Sequence, residues 1–144
     1  MVIRFSGRGN TGKQPDSFKH QIELWRNEYA HATSLRERHP ELDALVIDCS
    51  FIDPSNFGTY SPRTQRFYPA AKAFFGFACP RLLCLHGGFR LDDIVRQLIE
   101  TGKPEASGVM ECGGHILPQD AQPTPCGLRL QYRVDAKLNT GGAR

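Results

Sequence analysis

Leu128-Arg129-Leu130-Gln131-Tyr132-Arg133-Val134-Asp135-Ala136-Lys137-Leu138 alternates without a break between apolar and polar side chains. Successive side chains of a strand point to opposite faces, so a period of two predicts a strand with one face on a core and one in water. Ser107–Cys112 is a second strand candidate upstream, and the stretch from Gly113 to Cys126 would close the two into an antiparallel hairpin. That hairpin sets the expected fold class: α+β, an antiparallel sheet with two main helices packed on one face.

Ala44-Leu45-Val46-Ile47-Asp48-Cys49 is a continuous apolar run that reads as a strand buried on both faces. Ala73–Cys79 reads as another strand, Leu82–Leu85 as its short continuation, and Val2–Phe5 as a strand near the N-terminus. The first helix is expected over 16–38. Phe18, Ile22, Trp25, Tyr29, Ala32 and Leu35 recur every three or four residues and predict one apolar stripe against the core. His39-Pro40 should end it, because the residue before proline avoids the helical region. The second helix is expected over 91–101. Leu91, Ile94, Val95, Leu98 and Ile99 share a face, Asp92 and Asp93 suit the positive N-terminal end, and Gly102 with Pro104 stops it.

These elements fit a single domain over 1–144, with a long loop at about 53–69 and a frayed tail at about 139–144. With 40% apolar and 23% charged residues the chain has a globular, not a disordered, composition. No apolar run approaches the roughly 20 residues of a membrane helix, so no membrane partner is expected. The opening MVIRFSGRGN turns to glycine and charge before a signal-peptide core forms, which makes the cytoplasm the expected compartment. Net charge is only +3, and all of the excess lies early: residues 1–40 hold seven Lys/Arg against four Asp/Glu, and 41–144 hold eleven of each. A charge this small does not announce nucleic-acid binding, so an unidentified protein is the expected partner and nucleic acid the less favoured one. Tyr60, Arg63, Arg66, Phe67 and Tyr68 interleave aromatic and basic side chains, a pattern suited to stacking on bases or to tucking rings under a loop.

Five cysteines are the main chemical signal. A reducing compartment and an odd count argue against a complete disulfide framework. Cys79 and Cys84 are spaced C-x4-C, within the spacing of zinc ligands, while Cys112 and Cys126 fall where the C-terminal hairpin opens. Glycines beside these positions, as in Cys112-Gly113-Gly114-His115, let the backbone curl so that side chains converge. The candidate ligands of a tetrahedral Zn²⁺ are therefore Cys79, Cys84, Cys112 and Cys126, with His86 or His115 able to replace one thiolate. The general spacing resembles a zinc ribbon, although neither pair is C-x2-C. Four thiolates would also accept an iron–sulfur cluster. The competing readings are core thiols, natural for Cys79 beside Phe75 and Phe77, or a disulfide such as Cys112–Cys126. Cys49, inside the buried run, is expected to be a core thiol.

A second motif offers an alternative. Gly7-Arg8-Gly9-Asn10-Thr11-Gly12-Lys13 fits G-x-x-x-x-G-K between a strand and a helix, and Asp48 ends an apolar strand as a magnesium-holding Asp does. A nucleotide-binding protein or small phosphotransferase would use Gly7, Gly12, Lys13 and Asp48. Gln14 stands where that motif needs a hydroxyl for magnesium. No catalytic nucleophile–base pair is visible. The leading expectation is thus a non-catalytic binding or regulatory domain stabilised by a structural zinc.

Overall fold

The computed structural model describes residues 16–54, 60–81, 84–116 and 124–139. It is mostly antiparallel sheet with few helices. In chain order the elements are α1 (Asp16–His31), α2 (Leu35–Arg38), β1 (Leu42–Ile52), β2 (Arg63–Phe67), β3 (Gly76–Phe77), β4 (Cys84–Leu85), β5 (Phe89–Arg90), α3 (Asp92–Thr101), β6 (Glu105–Glu111), β7 (His115–Ile116), β8 (Thr124–Pro125) and β9 (Arg129–Leu138). None of the described helices is long and apolar enough to cross a membrane.

The main sheet runs β2-β1-β9-β6, antiparallel throughout. Its register pairs Leu45 with Phe67 and Ala136, Ile47 with Val134, and Val134 with Ala106. Directly opposed residues share a face, so one face carries the core residues Leu45, Ile47, Cys49, Leu130 and Val134, all buried. The other carries Asp48, Thr64, Gln131, Arg133, Asp135 and Glu105. There Arg133 pairs with Glu105 and Asp135 in solvent, where screening leaves little net gain. The alternation of 128–138 therefore reads directly into one buried and one wet face. The run 44–49 does not have two buried faces: Val46 and Asp48 are only half-buried, because among the described residues no layer covers the wet face of this sheet. Phe75 is fully buried against Phe67, ring centroids 5.1 Å apart, and a burial of that kind contributes about 2–3 kcal/mol.

The helices depart from expectation in a specific way. The stretch 16–38 is two helices, broken at Ala32–Ser34, because Ser34-Leu35-Arg36-Glu37 is a capping box that starts a new helix. Ser34 Oγ accepts from the Glu37 N–H at 3.2 Å, and the Ser34 N–H donates back to Glu37. Leu35 then points into the core beside β1. α3 lies against β6 and β9, whereas α1 makes its main contacts with β4. α3 is thus the main helix seen against the sheet, and packing of both main helices on one face is not shown. The expected stripe of α1 is largely outside the core: Ile22 and Tyr29 are exposed and Trp25 is half-buried. Phe18 and the strand expected at Val2–Phe5 lie outside the described side chains and residues.

The expected loop at 53–69 contains β2, which pairs with β1 from Leu45–Phe67 to Cys49–Arg63. Arg-Thr-Gln-Arg-Phe lacks apolar alternation because β2 is an edge strand that buries only Phe67. Elsewhere, the strand expected over 73–79 is reduced to β3, paired with β5, and Cys84 and Leu85 of the strand expected over 82–85 form β4, which joins β7 and β8 in a three-stranded sheet. Leu82 and Leu83 lie outside the described residues. These small sheets sit at the mouth of the β6–β9 hairpin.

Candidate metal centre

Two backbone hydrogen bonds extend the β6–β9 pairing past its last residues. The Cys112 N–H donates to the Leu128 carbonyl at 2.8 Å, and the Cys126 N–H to the Gly114 carbonyl at 2.8 Å. Cys112 and Cys126 are thereby held on opposite sides of the hairpin mouth. Pairing of β4 with β7, Cys84 opposite Ile116 and Leu85 opposite His115, brings Cys84 to the same place. Cys79 arrives from the end of β3.

The four sulfur atoms converge, all within 4.8 Å of one another. Cys79 and Cys126 Sγ are 3.7 Å apart, and Cys84 and Cys112 Sγ are 3.5 Å apart. Ligands at the Zn–S bond length of about 2.3 Å on a tetrahedron are separated by about 3.8 Å, so the spacing matches that of a four-thiolate site. Cys84, Cys112 and Cys126 are buried and Cys79 is half-buried.

Local groups are disposed to stabilise sulfur in its anionic form. The Gly88 and Gly114 N–H groups donate to Cys112 Sγ at 3.3 and 3.4 Å. Arg81 Nη1 donates to the Cys126 carbonyl at 2.7 Å and approaches Cys126 Sγ at 3.8 Å. Hydrogen bonds from Cys79 and Cys84, helped by those two backbone donors, hold the Cys112 thiol far down, at about 2. The Cys79 thiol is pushed up to about 12, chiefly by its contact with Cys112, and Cys84 is also pushed up, again chiefly by Cys112. Four sulfurs this close form a donor set that a soft divalent cation at the centre would satisfy at once.

Close approach requires two glycines. A Cβ on Gly87 would collide with both Cys84 Sγ and Cys112 Sγ, and one on Gly114 would lie 2.5 Å from Cys84 Sγ. His86, at φ 62, turns the chain just before Gly87. Behind the cluster Arg81 pairs with Asp53, Nη2 to Oδ1 2.6 Å, a carboxylate almost wholly buried. On another side α1 meets β4: Gln21 Nε2 donates to the Cys84 carbonyl at 3.3 Å, and the His86 N–H donates to Gln21 Oε1. Trp25 lies against Gly76 and Gly88, with the Arg90 guanidinium 4.6 Å over its ring.

His86 and His115 are exposed side chains and are not in the sulfur group. Cys49 is buried in β1, its thiol pushed up to about 11 by desolvation, as a core thiol should be. Among the residues of the nucleotide alternative, Gly7, Gly12 and Lys13 lie outside the described residues. Asp48 sits on the wet face of β1 and accepts a 2.7 Å hydrogen bond from Thr64. Every strand pairing among the described residues is antiparallel, unlike the parallel sheet that a phosphate-binding loop of this type requires. Sequence reading did not single out Arg81, Gly87 or Gln21, and it offers Asp53 only a general acid–base, capping or turn role at a strand end, not a pairing with Arg81. The visible signal was the repeated Gly-Gly, at 87–88 and 113–114, following Cys84 and Cys112. No family model, characterised protein or solved structure matches the chain, so the chemistry of the cluster itself carries the functional reading.

Proposed function

We propose that this protein is a non-catalytic binding or regulatory domain whose Cys79, Cys84, Cys112 and Cys126 hold a structural Zn²⁺. The observation that supports it is the convergence of four sulfurs from three separate stretches of chain within 4.8 Å. Zinc is favoured by an all-sulfur, tetrahedral donor set. Four protein ligands fill that coordination shell and leave no position for water or substrate, which makes the role structural, not catalytic. The ion would tie the end of β3 and the start of β4 to the mouth of the β6–β9 hairpin. Because the unfolded chain offers no preformed site, binding energy becomes folding energy. Cobalt substitution tests the reading: Co²⁺ in four thiolates gives intense sulfur-to-metal charge-transfer and tetrahedral visible bands. Loss of these bands in each of Cys79→Ser, Cys84→Ser, Cys112→Ser and Cys126→Ser, and their retention in Cys49→Ser, His86→Ala and His115→Ala, is expected. Unchanged bands in any of the four cluster variants would remove that cysteine from the site.

A further inference from the structure

The four sulfurs are not equally reachable. Cys84, Cys112 and Cys126 are buried, whereas Cys79 is half-buried. Backbone covers two of the buried three. Gly87 packs on both Cys84 and Cys112 Sγ, and Gly114 on Cys84 Sγ, so closely that neither glycine has room for a Cβ. Cys126 is fastened by Arg81, whose Nη1 donates to its carbonyl at 2.7 Å and lies 3.8 Å from its sulfur. A small reagent arriving from solvent therefore meets Cys79 first.

The sulfurs also form two close contacts, Cys79 with Cys126 at 3.7 Å and Cys84 with Cys112 at 3.5 Å. A covalent bond within either pair needs the sulfurs to close to about 2 Å. Cys49 stands apart from this arrangement, buried in β1 and outside the sulfur group.

We propose that the cluster is a peroxide-sensitive switch, in which Cys79 is oxidised first, Cys126 closes a disulfide on it and the metal is released. This rests on the zinc reading given above. The Cys79 thiolate attacks hydrogen peroxide; the O–O bond breaks, one oxygen stays on sulfur as a sulfenic acid and hydroxide leaves. The Cys126 thiolate then attacks the Cys79 sulfur, and the S–S bond forms as the S–O bond breaks and a second hydroxide leaves. The two sulfurs thus supply the two electrons that reduce one peroxide. Zinc is left with two of its four ligands and departs, and Cys84 with Cys112 repeats the reaction on a second peroxide. The element nearest the change is α1, whose Gln21 holds the Cys84 carbonyl and the His86 N–H.

Protein purified under reducing conditions, its zinc content measured beforehand, is titrated with hydrogen peroxide while a chromogenic chelator records free metal. Alkylation under denaturing conditions and non-reducing peptide mapping identify the bridges. Two disulfides should form for each zinc released. In the singly bridged fraction the bridge should be Cys79–Cys126, with Cys84 and Cys112 alkylated. Cys49 should be alkylated throughout, Cys49→Ser should release zinc as wild type does, and dithiothreitol with added zinc should restore the loaded protein. Zinc retained in a large excess of peroxide would overturn the proposal. So would release with sulfinic acids in place of disulfides, or a first bridge other than Cys79–Cys126. The starting metal content separates the two claims: protein that carries no zinc overturns the zinc reading and the switch with it, whereas zinc-loaded protein that fails any of these tests overturns the switch alone.

Discussion

Arg81 bridges Asp53 and Cys126: one guanidinium nitrogen lies 2.6 Å from the buried carboxylate and the other 2.7 Å from the cysteine carbonyl. The segment between the first two candidate ligands is thus fastened both to the end of β1 and to the fourth cysteine. Removing one partner of a buried pair typically costs about 3–5 kcal/mol. Arg81→Met should therefore lose about 3 kcal/mol in denaturant unfolding. A loss under about 1 kcal/mol would mean the bridge is dispensable.

Gly87 and Gly113 provide a matched pair. A Cβ at Gly87 meets two sulfurs of the cluster, whereas a Cβ at Gly113 meets nothing within 4 Å. Gly87→Ala should weaken metal affinity by about 10–100-fold in chelator competition, as perturbed surroundings of a metal site do. Gly113→Ala should bind as wild type. Equal affinities for the two variants would show that the sulfurs are not held by this close packing.

The lone tryptophan reports on the same region. Trp25 lies against Gly88, whose N–H donates to Cys112, and it is the half-buried anchor of α1. Because only part of the ring leaves water, Trp25→Ala should cost about 2 kcal/mol, less than a core aromatic. Chelation of wild-type protein should shift Trp25 emission to the red as α1 loses its seat on β4. An emission maximum indifferent to chelator would uncouple α1 from the metal site.

His39 gives a pH signature. Its ring stacks on Phe75 at 6.0 Å, and burial, with Arg38 nearby, lowers its pKa from the ordinary 6.5. A lowered folded-state value means the unfolded chain takes up the proton first. The contribution is complete above pH 6.5 and is lost as pH falls through the lowered folded value. Relative to His39→Gln, wild type should therefore lose stability on acidification from about pH 7.5 to about pH 5, with metal saturating in both. A constant difference between the two proteins would contradict this.

How much of this was legible depends on which residues speak through periodicity. The β9 alternation and the α3 stripe each have one face in the core, so their patterns named them. β2 was hidden because an edge strand with only Phe67 buried has no apolar period. The break between α1 and α2 was written as Ser34-x-x-Glu37 but was overridden by an apolar spacing that runs through it. Cys112 and Cys126 could be placed at one hairpin mouth from spacing alone, since a hairpin brings its own ends together, whereas Cys84 reaches them through the pairing of β4 with β7. Arg81 and Asp53 could not, because their contact joins positions 28 residues apart through the tertiary fold.

The central claim, four cysteines holding one zinc that helps hold the fold, is tested most directly by metal analysis and melting of protein purified under reducing conditions. Native mass spectrometry should find about one zinc per chain. A strong chelator should strip it and lower the melting temperature by about 10 °C or more. Protein that is folded, metal-free, slow to take up added zinc and indifferent to chelator would contradict the claim and leave the four thiols as packing in the core.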